Sequence, residues 1–269
     1  MPHLQLPEPW LERPVRVLLI GAGGTGSHRV GALMALDHAL RALDHPGGLH
    51  VTVYDPDRVT AANLGRQAFW PADVGQNKAV TLVQRANLAL GLGLDWVAAP
   101  RAFRVDAHVL RTYDLLLTAV DRARVRAEIG RRARVRPCGG APPIFWLDAG
   151  NAEQAAQLVL GCWQAGKEVP WIPNVFDRYP ELADLDDRAH RAPSCSAAES
   201  LARQGLPINR LVADLAQSLL WRLFRQGRLD LHGALVDLAT LSVRPLRADP
   251  QVWAGFGWPR TRRPAAGTR

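Results

Sequence analysis

The chain has 269 residues, 48% of them apolar, enough to bury the core of one large α/β domain or of one domain with an appendage. No stretch approaches 18 uncharged apolar residues, and the opening "MPHLQLPEPWLERP" has neither a basic n-region nor an apolar h-region; we therefore expect no membrane span, no signal peptide and a cytoplasmic location. The net charge of +8 permits an acidic or nucleic-acid partner, but four of the arginines fall in the last stretch, "PRTRRPAAGTR", which reads as a disordered basic tail, so nucleic-acid binding is not expected.

"VRVLLI" (Val15 to Ile20) is a continuous apolar run that ends at Gly21, the pattern of a buried parallel strand. Thr25 to Leu43 reads as a long helix with Val30, Leu33, Met34, Leu36 and Leu40 inward. "LHVTVYD" (Leu49 to Asp55) is the second strand, and Asn77 is placed to cap a helix running to about Leu90. "DWVAAPRAF" gives a third strand with a bend, "DLLLTAV" (Asp114 to Val120) a fourth ending at Asp121, and "PPIFWLDAG" (Pro142 to Gly150) a fifth. Between the last two, "DRARVRAEIGRRARVRP" carries seven arginines and reads as the solvated face of a helix with a thin stripe of Ala123, Ile129 and Ala133. Strand and helix thus alternate over residues 1–150, predicting a Rossmann-like, doubly wound, mainly parallel sheet with helices on both faces.

The pattern then changes to a C-terminal helix/strand extension. "AAQLVLGCW" is a candidate strand, Gln164 to Pro193 reads as a long loop, and Ser196 with Glu199 makes a capping box for "SAAESLARQ". Ile208 to Phe224 is a strong amphipathic helix, and "LATLSVRPL" reads as a last strand. Trp163, Trp171 and Phe176 flank the long loop, with core or loop anchoring as the default reading and a groove for a protein tail as the alternative.

"GAGGTG" (Gly21 to Gly26) lies between the first strand and the first helix. There Gly21, Gly23, Gly24 and Gly26 let backbone approach a phosphate at a helix N-terminus, and Asp55, at the end of the second strand, is placed to accept hydrogen bonds from a ribose. This loop alone does not choose between a nicotinamide dehydrogenase and an ATP enzyme. The next segment, "NLGRQAFWPADVGQNKA" (Asn63 to Ala79), holds Arg66 and Lys78; of 33 basic residues only Lys78 and Lys167 are lysines. A guanidinium fork and a compact ammonium exceed what a dinucleotide pyrophosphate asks and suit a triphosphate. Asp121, after the fourth strand, is placed to hold Mg²⁺ or to cap the helix that follows.

The stretches "VRVLLIGAGGTGS", "VYDPDRVTAANLGRQAFWPADVGQNKA" and "DLLLTAVD" resemble the E1-like adenylyltransferases typified by ThiF, MoeB and the ubiquitin-activating enzymes. "APSCSAAESLARQGLPIN" and "LWRLFRQGRLDLHGALVDLATLSVRPL" resemble the ThiF-family proteins of bacterial PRTRC gene clusters. The resemblance implies that Asp55 binds the ATP ribose, that Asn63, Arg66 and Gln67 face the phosphates and the adenylate, that Lys78 contacts phosphate and that Asp121 binds Mg²⁺. It divides the chain into an ATP-binding domain over 1–150, the crossover loop, amphipathic helices and closing strand of the same domain over 151–248, and the tail over 249–269. The implied reaction is adenylation of the C-terminal carboxylate of a ubiquitin-like protein ending in Gly-Gly, by a homodimer.

The sequence departs from that family in three ways. No two cysteines are closer than 24 residues, so the paired CxxC zinc site is absent and no zinc is expected. Arg122 stands where relatives often have Asn, and neither Arg13 nor Arg16 maps onto an N-terminal arginine that enters a partner's site. Cys195, ahead of a capped helix, is either an acyl-accepting thiol or an ordinary cysteine in a helix-entry turn; His190 could assist it or be solvated, and Cys138 and Cys162 read as structural. Two other functions stay open: an inactive relative that binds a nucleotide or a partner, and a nicotinamide-dependent oxidoreductase.

Overall fold

The computed structural model describes residues 3–91, 95–136, 139–167, 171–184 and 206–255. Its centre is an eight-stranded sheet. Five strands run parallel: β2 (Val15–Ile20), β3 (Leu49–Tyr54), β4 (Val97–Ala99), β5 (Leu115–Thr118) and β6 (Ile144–Asn151). Three more, β7 (Ala155–Gln164), β9 (Leu231–Asp237) and β10 (Ser242–Arg247), extend it antiparallel beyond β6. A separate two-stranded ribbon pairs β1 (Leu4–Gln5) with β8 (Arg228–Leu229).

The apolar runs of β2, β5 and β6 are buried on both faces, which is why they show no polar alternation, whereas the edge strands β4 and β10 are partly exposed. Successive residues feed two cores. Val17 and Leu19 of β2, Leu115 and Leu117 of β5, and Phe145 and Leu147 of β6 pack on one side, under α2 (Gly24–Ala42), α3 (Lys78–Ala89) and α7 (Ile208–Gln226). Leu18, Ile20, Leu116, Ile144 and Trp146 pack on the other, with Leu110 of α4 (Ala107–Leu110), Ile129 of α5 (Ala123–Arg131) and Val175 of α6 (Val175–Arg178).

The strand order is β10-β9-β7-β6-β5-β2-β3-β4. From β2 the chain first steps outward through β3 and β4, then returns to place β5 on the other side of β2. The C-terminal ends of β2 and β5 therefore flank a topological switch point, where such sheets bind ligands. The N-terminal ends of the same strands are tied by Asp114, which accepts two 2.7 Å hydrogen bonds from Arg13 and a longer ion pair from Arg16. These partners hold the Asp114 carboxyl below its usual range against the opposing effect of burial. Arg13 and Arg16 thus serve the edge of the sheet opposite the switch point.

Several elements differ from the sequence reading. The arginine-rich helix is not simply a solvated face: Arg126 is buried and reaches Asp148 at 2.8 Å. The loop expected from Gln164 contains α6 and a 3₁₀ turn at Pro180–Ala183. The closing strand is a hairpin: Leu238 to Leu241 form the turn and β9 precedes it. Helix α8 (Pro250–Gly255) lies in the segment read as tail, with Trp253 3% exposed and donating from Nε1 to His232. The helix read over "SAAESLARQ" lies outside the described residues.

Candidate functional site

The glycine loop leaves β2 at the switch point, and each glycine has its own reason. Gly21 has φ +94°, and a Cβ there would lie 2.6 Å from the carbonyl of Ala119, beyond β5. At Gly26 a Cβ would meet the carbonyl of Gly21 at 1.9 Å, so this glycine lets α2 close on the strand. A Cβ on Gly24 would lie 2.4 Å from Oδ1 of Asn209, in the first turn of α7. Only at Gly23, among these four, would a Cβ meet nothing within 4 Å. Gly23 is thus where backbone stands open to a ligand, beside the first N–H groups of a 19-residue helix, which have no intrahelical partners.

Asp55 follows β3, next to β2 in the sheet, and is 5% exposed. Its Oδ2 accepts the amide of Ala22 at 2.6 Å and its Oδ1 the amide of Asp57 at 2.8 Å. Burial pushes its carboxyl above the ordinary value, opposed by these amides and by the charge of Lys78. Lys78 opens α3 and is 6% exposed; its Nζ lies 3.2 Å from Oδ2 of Asp57. The Asn77 cap is present as expected: its side-chain oxygen accepts from the amide of Val80, and its Nδ2 donates to the carbonyls of Asp55 and Asp57.

The segment between β3 and α3 folds back on the start of α2. Asn63 is buried, and its Oδ1 closes a 3₁₀ turn by accepting the amide of Thr60. The carbonyl of Arg66 lies 3.2 Å from Nε2 of His28 and 3.3 Å from Nδ2 of Asn209, and the amide of Ala68 donates to Oγ of Ser27 at 3.0 Å. Arg66 is half-buried, and burial lowers its pKa. Gln67 is 6% exposed, and its Oε1 has no hydrogen-bond partner among the described residues. A buried amide oxygen left so costs about 1–3 kcal/mol, which suits a group kept for a ligand.

The fold therefore gathers Gly21, Gly23, Gly24, Gly26, Asp55, Asn63, Arg66, Gln67 and Lys78 around the C-terminal ends of β2 and β3. Asp121 follows β5 on the other flank of the switch point and is exposed. It is not the helix cap: Arg122 holds that position, without a side-chain cap bond. Among the described residues no group of three or more His, Cys, Asp or Glu could hold a metal ion. A lone exposed carboxylate still fits Mg²⁺, which takes one or two carboxylates and completes its shell with waters and substrate phosphates. Cys195, His190 and Cys138 lie outside the described residues. Cys162 is fully buried in β7, and its thiol is pushed up to about 12 by burial, so it is a core residue.

Two site features went unread in the sequence. Asp57, the second acid of "DPD", pairs with Lys78; the motif was visible but assigned no partner. Asn209, fully buried in the first turn of α7, touches the glycine loop, the Arg66 segment and Asn151 at the end of β6. A polar side chain in the first turn of an apolar helix was the one signal for it.

This architecture defines a doubly wound α/β domain with a candidate ligand site at the switch point. Residues 11–137, just under half of the chain, match the ThiF family. It is 24% identical over 130 residues to the "ATP-dependent ubiquitin transferase-like protein Cap2" of Escherichia coli (strain TW11681), covering 48% of this chain and 21% of Cap2. Among solved structures, PaaA superposes with a TM-score of 0.56 at 14% identity, covering 87% of this chain and 64% of PaaA. E. coli MccB with AMPCPP and MccA gives 0.53 at 18% identity, with the same coverage. E. coli MccB with ATP gives 0.52 at 18%, covering 63% of MccB. The chain thus spans about a fifth of Cap2 and less than two thirds of the PaaA and MccB chains.

Proposed function

We propose that this protein is an ATP-dependent adenylyltransferase that activates the C-terminal carboxylate of a protein or peptide, and that its acyl partner is ubiquitin-like and ends in Gly-Gly. The observation that carries the reading is Lys78. An ammonium in the first turn of α3 sits at the positive end of a helix dipole and is 6% exposed. Both circumstances disfavour a cation, and within the protein they are offset only in part, by the charge of Asp55 and by an ion pair to the largely exposed Asp57. A position so costly to the fold is explained by a multiply charged ligand at the adjacent glycine loop. MccB, a neighbour of similar fold, has been crystallised with ATP and with the peptide MccA.

In this reading the triphosphate lies over Gly23 and the first turn of α2, with the ribose toward Asp55. The incoming carboxylate is already ionised at neutral pH and needs no general base. Its oxygen attacks the α-phosphorus, the bond to the bridging oxygen breaks, and pyrophosphate leaves with that electron pair. Arg66 and Lys78 neutralise the charge that builds on the leaving phosphates, and the buried amide of Gln67 orients the adenylate. Asp121 would hold Mg²⁺, which supplies further charge neutralisation when bound. Onward transfer of the acyl group to Cys195 is a sequence-level extension of the same reading, as is pairing of two copies.

The test is ATP–pyrophosphate exchange with a panel of diglycine-ended proteins. Lys78→Ala is expected to lower exchange by about 10²- to 10³-fold, the usual effect of losing one preorganised charge-stabilising group, while the unfolding transition is kept. Exchange at the wild-type rate in that variant would sink the assignment.

A further inference from the structure

Helices α2 and α7 run in the same direction across one face of the sheet. Thr25 meets Asn209 near their starts. Further along, Arg29, Leu33 and Leu36 of α2 and Ala213, Ala216 and Leu220 of α7 line one small cavity. The N-terminal ends of two 19-residue helices therefore meet beside the glycine loop. Asn209 is the side chain at their junction. It is fully buried, on a helix whose N-cap, Pro207, has no side-chain cap bond.

Its amide has two ends with different tasks. Oδ1 accepts from Nδ2 of Asn151 at 2.6 Å and from Oγ1 of Thr25 at 3.3 Å, which fixes it to β6 and to the glycine-loop helix. Nδ2 donates to the carbonyl of Arg66 at 3.3 Å. Four segments distant in sequence are thereby joined through one planar group. The missing side chain of Gly24 makes the approach possible, since a Cβ there would lie 2.4 Å from Oδ1. Asn209 alone is thus reason enough for a glycine at this position.

We propose that Asn209 is a positioning residue: it locks the backbone of Arg66 against the first turn of α2, so that the guanidinium and the glycine loop grip the same nucleotide. The claim rests on the ATP-activation reading above, but concerns a residue in the extension beyond the ThiF-family span. His28 supplies a second hold on the same carbonyl at 3.2 Å. Asn209 differs from it in also touching Thr25 and Asn151, so it couples the extension directly to the phosphate-facing segment.

The experiment is calorimetric titration of the full chain with ATP and magnesium, in the wild-type and Arg66→Ala backgrounds. Asn209→Ala removes the amide, and Asn209→Leu removes it while keeping the volume, so that at least one variant retains the packing. Each is expected to weaken ATP binding roughly tenfold in the wild-type background, about the worth of one well-placed hydrogen bond. In the Arg66→Ala background the same substitutions are expected to change ATP affinity by less than about twofold, because the group they position is gone. Wild-type affinity in Asn209→Leu, or an equal loss in both backgrounds, overturns the positioning role and leaves the ATP reading standing. A wild-type chain that binds no ATP overturns that reading and the positioning role with it.

Discussion

Arg126 donates from Nε to Oδ1 of Asp148 at 2.8 Å, in a pair almost wholly withdrawn from solvent. The same oxygen accepts from Thr118, whose Oγ1 in turn accepts from Nε1 of Trp146 at 2.9 Å. Nearby, the guanidinium of Arg29 is fully buried, feels Asp148 only through its charge, and has no hydrogen-bond partner among the described residues. Two cations thus share one carboxylate beneath the glycine loop, and they are unequal: one makes the bonds and the other does not.

Arg126→Ala should be costly. It removes the hydrogen bonds to Asp148 and to the carbonyl of Ala149 and leaves a buried carboxylate short of donors. The expected loss is about 3 kcal/mol, near the lower end for breaking a buried pair, since Arg29 still offsets part of the charge. Urea unfolding at neutral pH measures it, and a midpoint within error of wild type contradicts the prediction.

Arg29→Met should act in the opposite direction. Burial lowers the pKa of this guanidinium to about 10, and its three nitrogens lack partners among the described residues. A thioether of similar length removes that desolvation cost and leaves the Arg126–Asp148 pair electrically balanced. We expect a gain of about 1–2 kcal/mol, read as a thermal midpoint raised by a few degrees.

His232 makes stability depend on pH. Its Nδ1 faces the carbonyl of Leu160 at 3.1 Å, and its Nε2 accepts from Nε1 of Trp253 at 3.1 Å, an arrangement open only to the neutral ring. Burial lowers its pKa to about 4 from an ordinary 6.5. The unfolded chain therefore binds the proton more readily, and stability present above about pH 6.5 is lost as pH falls toward 4, by about 3 kcal/mol at most. The loss between pH 7 and pH 4.5 should be smaller in His232→Gln than in wild type; identical slopes count against the account.

Cys162 should be inert in the folded protein. It is fully buried in β7 and its thiol is pushed up to about 12, so almost no thiolate forms at neutral pH. Iodoacetamide followed by peptide mass spectrometry should leave Cys162 unmodified in native protein and label it fully in denaturant. That contrast would let a label on any other cysteine be read without interference from Cys162.

The parts of this molecule legible in its sequence are those whose cause is local. "VRVLLI" is buried on both faces and so reads as a strand whatever surrounds it. Helix α7 announces itself by apolar spacing from Ile208 to Leu223, and Asn77 caps α3 through its near neighbour Val80. Strand β9 did not read as one because "LHGALVD" carries a His and a Gly whose reasons are tertiary. His232 is satisfied by Leu160 and Trp253, and a Cβ at Gly233 would lie 2.0 Å from the carbonyl of Leu158. The candidate site motif is legible because "NLGRQ" and "DVGQNK" lie within one short segment. Asn209 is not, because its partners Arg66 and Thr25 are 143 and 184 residues away. Likewise, nothing local to "DRARVRAEIG" shows that one of its arginines turns inward to a carboxylate 22 residues on.

The family match stops at residue 137, but the sheet does not. Strand β6 is paired along its whole length with β7, from Ile144 opposite Gln164 to Asn151 opposite Ala156. The first strand of the chain is itself zipped to Arg228 and Leu229, immediately after α7. Severing the polypeptide near residue 150 would bare a rim of unmet amides around Phe145 and Trp146, inviting a second copy to add its own rim. The portion that similarity recognises is therefore smaller than the portion that must fold together, and any minimal version of this protein has to keep both ends.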